Sequence, residues 1–273
     1  MKFKKSDILK FRRLIWKYYK EYGRDLPWRR TKNPYAIVVS EIMLQQTQVD
    51  RVRGKYEEFL EKFPTFARLG RARAREVLKA WQGLGYNRRA LSLWKLAQTV
   101  MKEYKGELPH TPAELEALPG IGKATAGSVA AFAFNIPTVF VETNIRRAIL
   151  HHFFLKKRRV SEEGIWELAA AVLDPKNPRE WYWALMDYGS MLGKTVPNPN
   201  RRSASYRKQS PFQGSNRELR GRIVRLLLEQ SRLAVSSLLA LTQKSEARVQ
   251  EILEALEREG FLRQRKGIIM IAK

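Results

Sequence analysis

Residues Leu118–Arg147 sharply limit how this chain can fold. The stretch reads LPGIGKATAGSVAAFAFNIPTVFVETNIRR. Gly120-Ile121-Gly122 has the form of a tight hairpin that turns one helix into the next. It exposes backbone N–H groups at the second helix's N-terminus, an end that attracts anions. Ala124, Ala126, Gly127, Ala130 and Ala131 then give that helix a nearly side-chain-free face, so neighbours can approach its backbone. The apolar run Val139-Phe140-Val141 ends at Glu142, with Asn144, Arg146 and Arg147 behind it. One short unit thus carries an anion grip and a carboxylate.

Helical spacing runs through the rest of the first two hundred residues. Ile8, Leu9, Phe11, Leu14, Ile15, Tyr18 and Tyr19 predict an amphipathic helix over 6–22, with Ser6 or Asp7 as its N-cap. Pro27 breaks it, and Pro34 opens a second helix that carries Glu41 near its C-terminal end, just before the polar turn Gln45-Gln46-Thr47. Further helices are expected at 48–61, 65–69, 73–81, 88–104, 111–117, from 144 to 154, at 162–173 with Ser161 as cap, and at 178–192. No convincing alternating strand precedes the C-terminal region. From Asn216 the pattern changes to three short helices and then Phe261–Ile271, two strands around a Lys266-Gly267 turn, which together look like a winged helix. The expected fold is therefore an all-α catalytic core followed by a winged-helix-like α+β module.

Charge and composition narrow the function. Fifty-two Lys and Arg against 27 Asp and Glu give a net charge of +25 spread along the chain, which favours a polyanionic partner. Seven Trp, twelve Phe and 44% hydrophobic residues indicate a packed core and not a disordered basic arm. No run approaches the ~18 apolar residues of a membrane span, and the first residues lack an apolar signal region. A soluble, cytoplasmic monomer is expected, with a polyanionic partner and no membrane association. There is no cysteine, hence no disulfide, no thiolate nucleophile and no cysteine-ligated cluster.

Four motifs in order resemble the helix-hairpin-helix DNA glycosylases of the endonuclease III superfamily, and among them the adenine DNA glycosylase branch. They are Leu26-Pro27-Trp28-Arg29, the run Ser40–Val49, Gly83-Leu84-Gly85-Tyr86, and the Leu118–Gly122 hairpin with its downstream acid. The resemblance covers roughly residues 8–192. It implies a two-lobed fold with residues 1–27 and 143–200 in one lobe and 28–142 in the other, followed by a basic linker at 201–215 and the module at 216–273. It further implies base excision repair of duplex DNA with a flipped-out base. Relatives usually carry four cysteines for an iron–sulfur cluster just after the segment matching Met186–Leu192. Here Gly193 and Asn200 stand where the first two are expected, so no cofactor is expected. The loop that follows, rich in Lys194, Arg201, Arg202, Arg207 and Lys208, reads either as a solvated linker or as a loop that keeps the DNA-contacting charge without the metal.

Breaking an N-glycosidic bond passes through a cationic sugar, so it needs an acid for the leaving base and a negative charge beside the sugar. By resemblance Glu41 is the acid, and Glu142 stands where the family has an aspartate. The extra methylene shifts a carboxylate by roughly 1.5 Å, so either the backbone adjusts or the chemistry changes. The alternatives are another target base (thymine, uracil or an alkylated base), a metal-free deaminase, or a non-catalytic DNA-binding protein. Gln45, Gln46 and Tyr86 match side chains that enter the duplex. Arg29, Arg88, Gly120, Gly122, Lys123 and Asn144 are the further expected DNA contacts. Family members that also cut the strand carry a lysine where this chain has Ala124, and the adjacent Lys123 is about 100° away around the helix. A monofunctional enzyme without lyase activity is therefore expected.

Overall fold

The computed structural model describes residues 3–272. In chain order its helices are α1 (Lys5–Tyr22), α2 (Pro34–Leu44), α3 (Val49–Lys62), α4 (Phe66–Gly70), α5 (Ala74–Ala80), α6 (Arg88–Glu103), α7 (Pro112–Glu116), α8 (Lys123–Phe134), α9 (Thr143–Phe153), α10 (Glu162–Val172) and α11 (Pro178–Thr195). The C-terminal module follows as α12 (Asn216–Gln230), β1 (Arg232–Ala234), α13 (Val235–Thr242), α14 (Glu246–Arg258), β2 (Leu262–Arg265) and β3 (Ile268–Ile271). Single 3₁₀ turns occupy Pro27–Arg29 and Pro199–Arg202. The expected helical core and α+β module are both present. The strand β1 was not expected, because three residues are too few to display an alternation. It pairs antiparallel with the centre of a β1-β3-β2 sheet, Leu233 opposite Ile269.

The chain divides into two compact units. One comprises the chain up to Glu41 with Pro109–Lys208, and the other Ile42–Leu108 with the chain from Gln209 on. This partition differs from the one drawn from sequence. The hairpin helix α8 packs against α7 and α11, which draws it into the unit of the terminal helices, and α12 packs on α5. In the second unit Arg75 of α5 donates to the carbonyls of Leu227 and Leu228 at 3.1 and 2.5 Å, capping the C-terminal end of α12 with a cation.

The first unit is built around α11, which lies along α9 and α1. Trp181, Tyr182, Phe140 and Ile15 are fully buried there, each such side chain contributing about 1.5–3 kcal/mol on burial. The rings of Phe140 and Tyr182 lie 4.0 Å apart, and the Tyr182 hydroxyl donates to the Thr138 carbonyl at 2.7 Å. Gly127 on the small-residue face of α8 is required by this packing, because a Cβ there would lie 2.7 Å from that of Phe140. Gly189 is required more strongly, since any side chain would collide with the backbone carbonyl of Asn144 where α11 crosses α9. Ser161 caps α10 as expected, accepting from the Gly164 N–H at 3.3 Å. The first helix begins earlier than expected, with Lys4 as N-cap, and Asp7 sits in its first turn, where a negative charge suits the helix dipole.

In the second unit, Val52, Tyr56 and Phe59 of α3 are buried, and Phe59 meets Trp81, whose indole N–H donates to the Gly85 carbonyl at 3.1 Å. That bond pins the Gly83–Gly85 turn, where both glycines have left-handed φ of 94° and 71°.

Candidate active site

Glu41 lies on α2, a helix apolar on every side. Tyr35, Ile37, Val38, Val39, Ile42 and Met43 are all buried around it. Glu41 is half-buried. Burial raises its pKa from 4.5 to about 7, a hydrogen bond with Ser128 of α8 and the charge of Arg29 oppose that rise, and the carboxylate of Glu142 reinforces it. The two acids, a hundred residues apart in sequence, therefore feel one another.

Glu142 is held by the start of α9. Its backbone is extended (φ −110°, ψ −178°), and one carboxylate oxygen accepts from the N–H groups of Asn144 and Ile145 at 2.7 and 2.8 Å. The carboxylate thus caps α9. Burial raises its pKa, opposed by the two backbone bonds and by the charges of Arg147 and Arg24. Asn144 donates its side-chain amide to Glu142 at 3.3 Å and accepts from Arg147 at 2.8 Å. Arg147 also donates to the Gly189 carbonyl at 2.7 Å. Asn144 was expected to contact DNA; its amide is instead engaged in bracing Glu142.

Arg29 is also corrected. Its guanidinium is 7% exposed and donates to both oxygens of Asp187, at 2.8 and 2.7 Å, and to the carbonyls of Arg24 and Trp183. These donors are thus turned to the protein, and its charge acts on Glu41. No sequence signal announced Asp187 as its partner.

Among the other expected DNA contacts, Gln46 and Arg88 are exposed, Gln45 is half-buried, and Tyr86 is 38% exposed. Gln46 and Tyr86 both adopt left-handed φ, 56° and 45°. Arg89, next to Arg88, is buried. Its guanidinium donates to the carbonyls of Ile42, Met43, Gln45, Leu84 and Gly85 and to the Thr47 hydroxyl. It clamps the Gln45–Thr47 and Gly83–Gly85 turns together, and burial lowers its pKa to about 10. In the hairpin, Gly120 has φ +83°, Gly122 is the N-cap of α8 without a capping side chain, and both are exposed with Lys123. The Lys123 ammonium lies 4.6 Å from the centroid of the Trp166 ring.

Where relatives ligate a cluster, the residues do not fit one. At Gly193 a Cβ would come within 2.5 Å of the Arg147 guanidinium. Asn200 is buried and donates to the Thr143 carbonyl at 3.1 Å, next to Glu142. Arg202, read from sequence as DNA-contacting charge, donates instead to the carbonyls of Leu150, Phe154 and Leu155 at the far end of α9. Ser203 donates to Glu162, which is paired with Arg146 of α9 at 2.6 Å. Polar side chains thus fasten this loop along the helix that Glu142 caps.

Two carboxyls whose charges interact, one on a buried helix and one at the end of a glycine-hairpin unit, define a class. The chain belongs to the HhH-GPD superfamily of base excision DNA repair proteins, whose family model matches residues 39–171. Adenine DNA glycosylase of Buchnera aphidicola subsp. Baizongia pistaciae is 34% identical over 186 residues, 67% of this chain and 53% of that protein. Thymine/uracil-DNA glycosylase of Pyrobaculum aerophilum is 34% identical over 189 residues, 67% of this chain and 82% of that protein. The solved structure of a thermostable thymine-DNA glycosylase matches with a TM-score of 0.62 at 29% identity, covering 68% of this chain and 87% of that one. The chain spans about half or less of the length of the adenine glycosylases it matches.

Proposed function

We propose that the protein is a monofunctional DNA N-glycosylase of base excision repair, of adenine type, that acts on duplex DNA with an extruded base and uses no iron–sulfur cluster. The observation that carries this is Glu41, a carboxyl whose pKa of about 7 lets it hold a proton at neutral pH, set opposite Glu142. Glu41 donates its proton to the leaving base as the C–N glycosidic bond breaks. The Glu142 carboxylate stabilises the cationic sugar, water adds at the anomeric carbon, and the proton that water releases passes to a carboxylate. Gln45, Gln46, Tyr86 and Arg88 would face the duplex, and the Gly120–Lys123 turn would hold a phosphate at the start of α8. A second reading, thymine or uracil as the base, is favoured by the Pyrobaculum relative, of which this chain covers more than of the adenine enzymes.

The test is a panel of labelled duplexes carrying A opposite 8-oxoguanine, A opposite G, and T or U opposite G. Alkali cleavage reports base loss and nucleoside mass spectrometry reports deamination. On the active substrate the single-turnover rate should fall as pH rises through about 7, because Glu41 must enter protonated. A rate that rises through that range would make Glu41 a base, and no loss from any duplex would sink the glycosylase reading. Monofunctionality rests on Ala124 and on Lys123 lying over Trp166. Borohydride added during turnover should therefore trap no covalent protein–DNA adduct. An adduct abolished by Lys123→Ala would overturn this.

A further inference from the structure

The proposed chemistry gives the C-terminal module no part, yet the segment that enters the module is tied to Tyr86. The Tyr86 hydroxyl accepts from Arg217 of α12 at 2.9 Å and from the side-chain amide of Gln209. The same guanidinium donates to the carbonyls of Ser210 and Pro211 at 2.6 and 3.4 Å, so one cation joins the Tyr86 tip to the segment leading into α12. On its other side the Tyr86 ring faces the Arg89 guanidinium, 5.5 Å from the ring centroid. Part of the ring stays open to solvent. These contacts hold the ring in place without covering it, which suits positioning and not autoinhibition. They also hold a left-handed backbone, φ +45°, that a bulky residue adopts at an energetic cost.

The segment is itself braced. Ser215 caps α12 and donates its hydroxyl to the Phe212 carbonyl at 2.5 Å, the Gly214 N–H donates to Glu218 at 2.6 Å, and Arg248 of α14 donates to the Gly214 carbonyl at 2.7 Å. On this fixed loop Phe212 is 61% exposed, a large ring held out in water one residue beyond Pro211. The loop follows Arg207 and Lys208, both exposed, and Arg88 is exposed beside Tyr86. Aromatic rings set among cations match bases and phosphates better than an apolar protein face.

We infer that Gln209–Arg217 is a strap that prepares the protein's surface for duplex DNA. Arg217 is a positioning residue that acts through Tyr86, and Phe212 is a second aromatic contact to the same duplex. The inference rests on the glycosylase reading for its choice of partner.

The experiment measures duplex affinity of the full-length protein by fluorescence anisotropy for wild type, Arg217→Ala, Tyr86→Phe, the double variant and Phe212→Ala, with thermal unfolding as the folding control and base release measured in parallel. Tyr86→Phe loses a single oxygen and keeps the fold accessible. Arg217→Ala and Tyr86→Phe should each weaken binding by about tenfold, the scale of one charge-assisted hydrogen bond. The double variant should be no weaker than either single one, because both remove the same link. Phe212→Ala should by itself weaken binding several-fold. Multiplying losses at Arg217 and Tyr86 would make Arg217 a direct phosphate contact and overturn the positioning role. Unchanged affinity in Phe212→Ala would overturn the second contact. If wild type releases no base while Arg217 and Tyr86 remain coupled in affinity, the enzymatic reading fails and the strap stands. If base is released and the coupling is absent, the strap fails alone.

Discussion

Glu41→Gln will melt at a higher temperature than wild type at pH 8 while releasing base about 10²–10⁴-fold more slowly, the usual contribution of a positioned acid. The stability half follows from proton linkage. In the folded protein the carboxyl titrates near 7, in the unfolded chain near 4.5. Between those values the folded state holds a proton that the unfolded state has released, so stability declines as pH rises, and above about 7 the full difference is present. A shift of that size corresponds to about 3 kcal/mol, or roughly 5–10 °C for a chain of this length. Glutamine keeps the shape and a group that can bond with Ser128, and it carries no charge into the apolar surroundings of α2. At pH 5 both proteins hold a neutral group at position 41, and the difference in melting should nearly vanish. Scanning calorimetry at the two pH values with single-turnover assays checks both halves. A variant that melts lower at pH 8, or that releases base at the wild-type rate, sinks the assignment.

The two acids were singled out by resemblance, and their local settings are visible in the sequence. Glu41 precedes a polar turn on an apolar helix, and Glu142 follows a short apolar run after a glycine hairpin. Contacts that join distant segments were not legible. Arg29 was expected to contact DNA, and only the fold shows it paired with Asp187 and shows Arg89 enclosed by carbonyls of two turns. Glutamate is not among the residues favoured at helix N-caps, so the capping role of Glu142 had no sequence signature either. Asn200 likewise stood out only as a missing cysteine, and its bond to Thr143 depends on a turn docking across 57 residues of intervening chain. The domain partition drawn from sequence had a different basis. It followed motif order, whereas α8 and α12 are assigned by what they pack against.

Asp187→Asn will destabilise the first unit by about 3–5 kcal/mol, the range for removing one partner of a buried ion pair. The Asp187 side chain is 1% exposed and accepts from the Arg24 N–H at 2.8 Å, from Arg24 Nε at 2.6 Å and from two nitrogens of Arg29. Burial alone would raise its pKa, but the Arg29 hydrogen bonds and charge, followed by those of Arg24, hold it below 3.8. Its folded-state pKa is depressed, so its contribution is present above the unfolded value and is lost as pH falls through the folded one. The gap between wild type and variant should therefore be widest near neutrality and narrow below about pH 4, where wild type loses the same charge. Asparagine leaves the Arg29 guanidinium buried without its counter-charge, and that guanidinium already pulls Glu41 downward. Freed of Asp187, it pulls harder. The falling limb of the base-release profile should accordingly move to lower pH in Asp187→Asn, although residue 187 touches neither acid in the mechanism. Urea unfolding at pH 7 and at about pH 2.5, below the unfolded value, measures the first effect, and the pH–rate profile of the folded variant measures the second. An unmoved limb would mean that Arg29 does not tune Glu41, and a loss below 1 kcal/mol would mean that the ion pair is replaced by water.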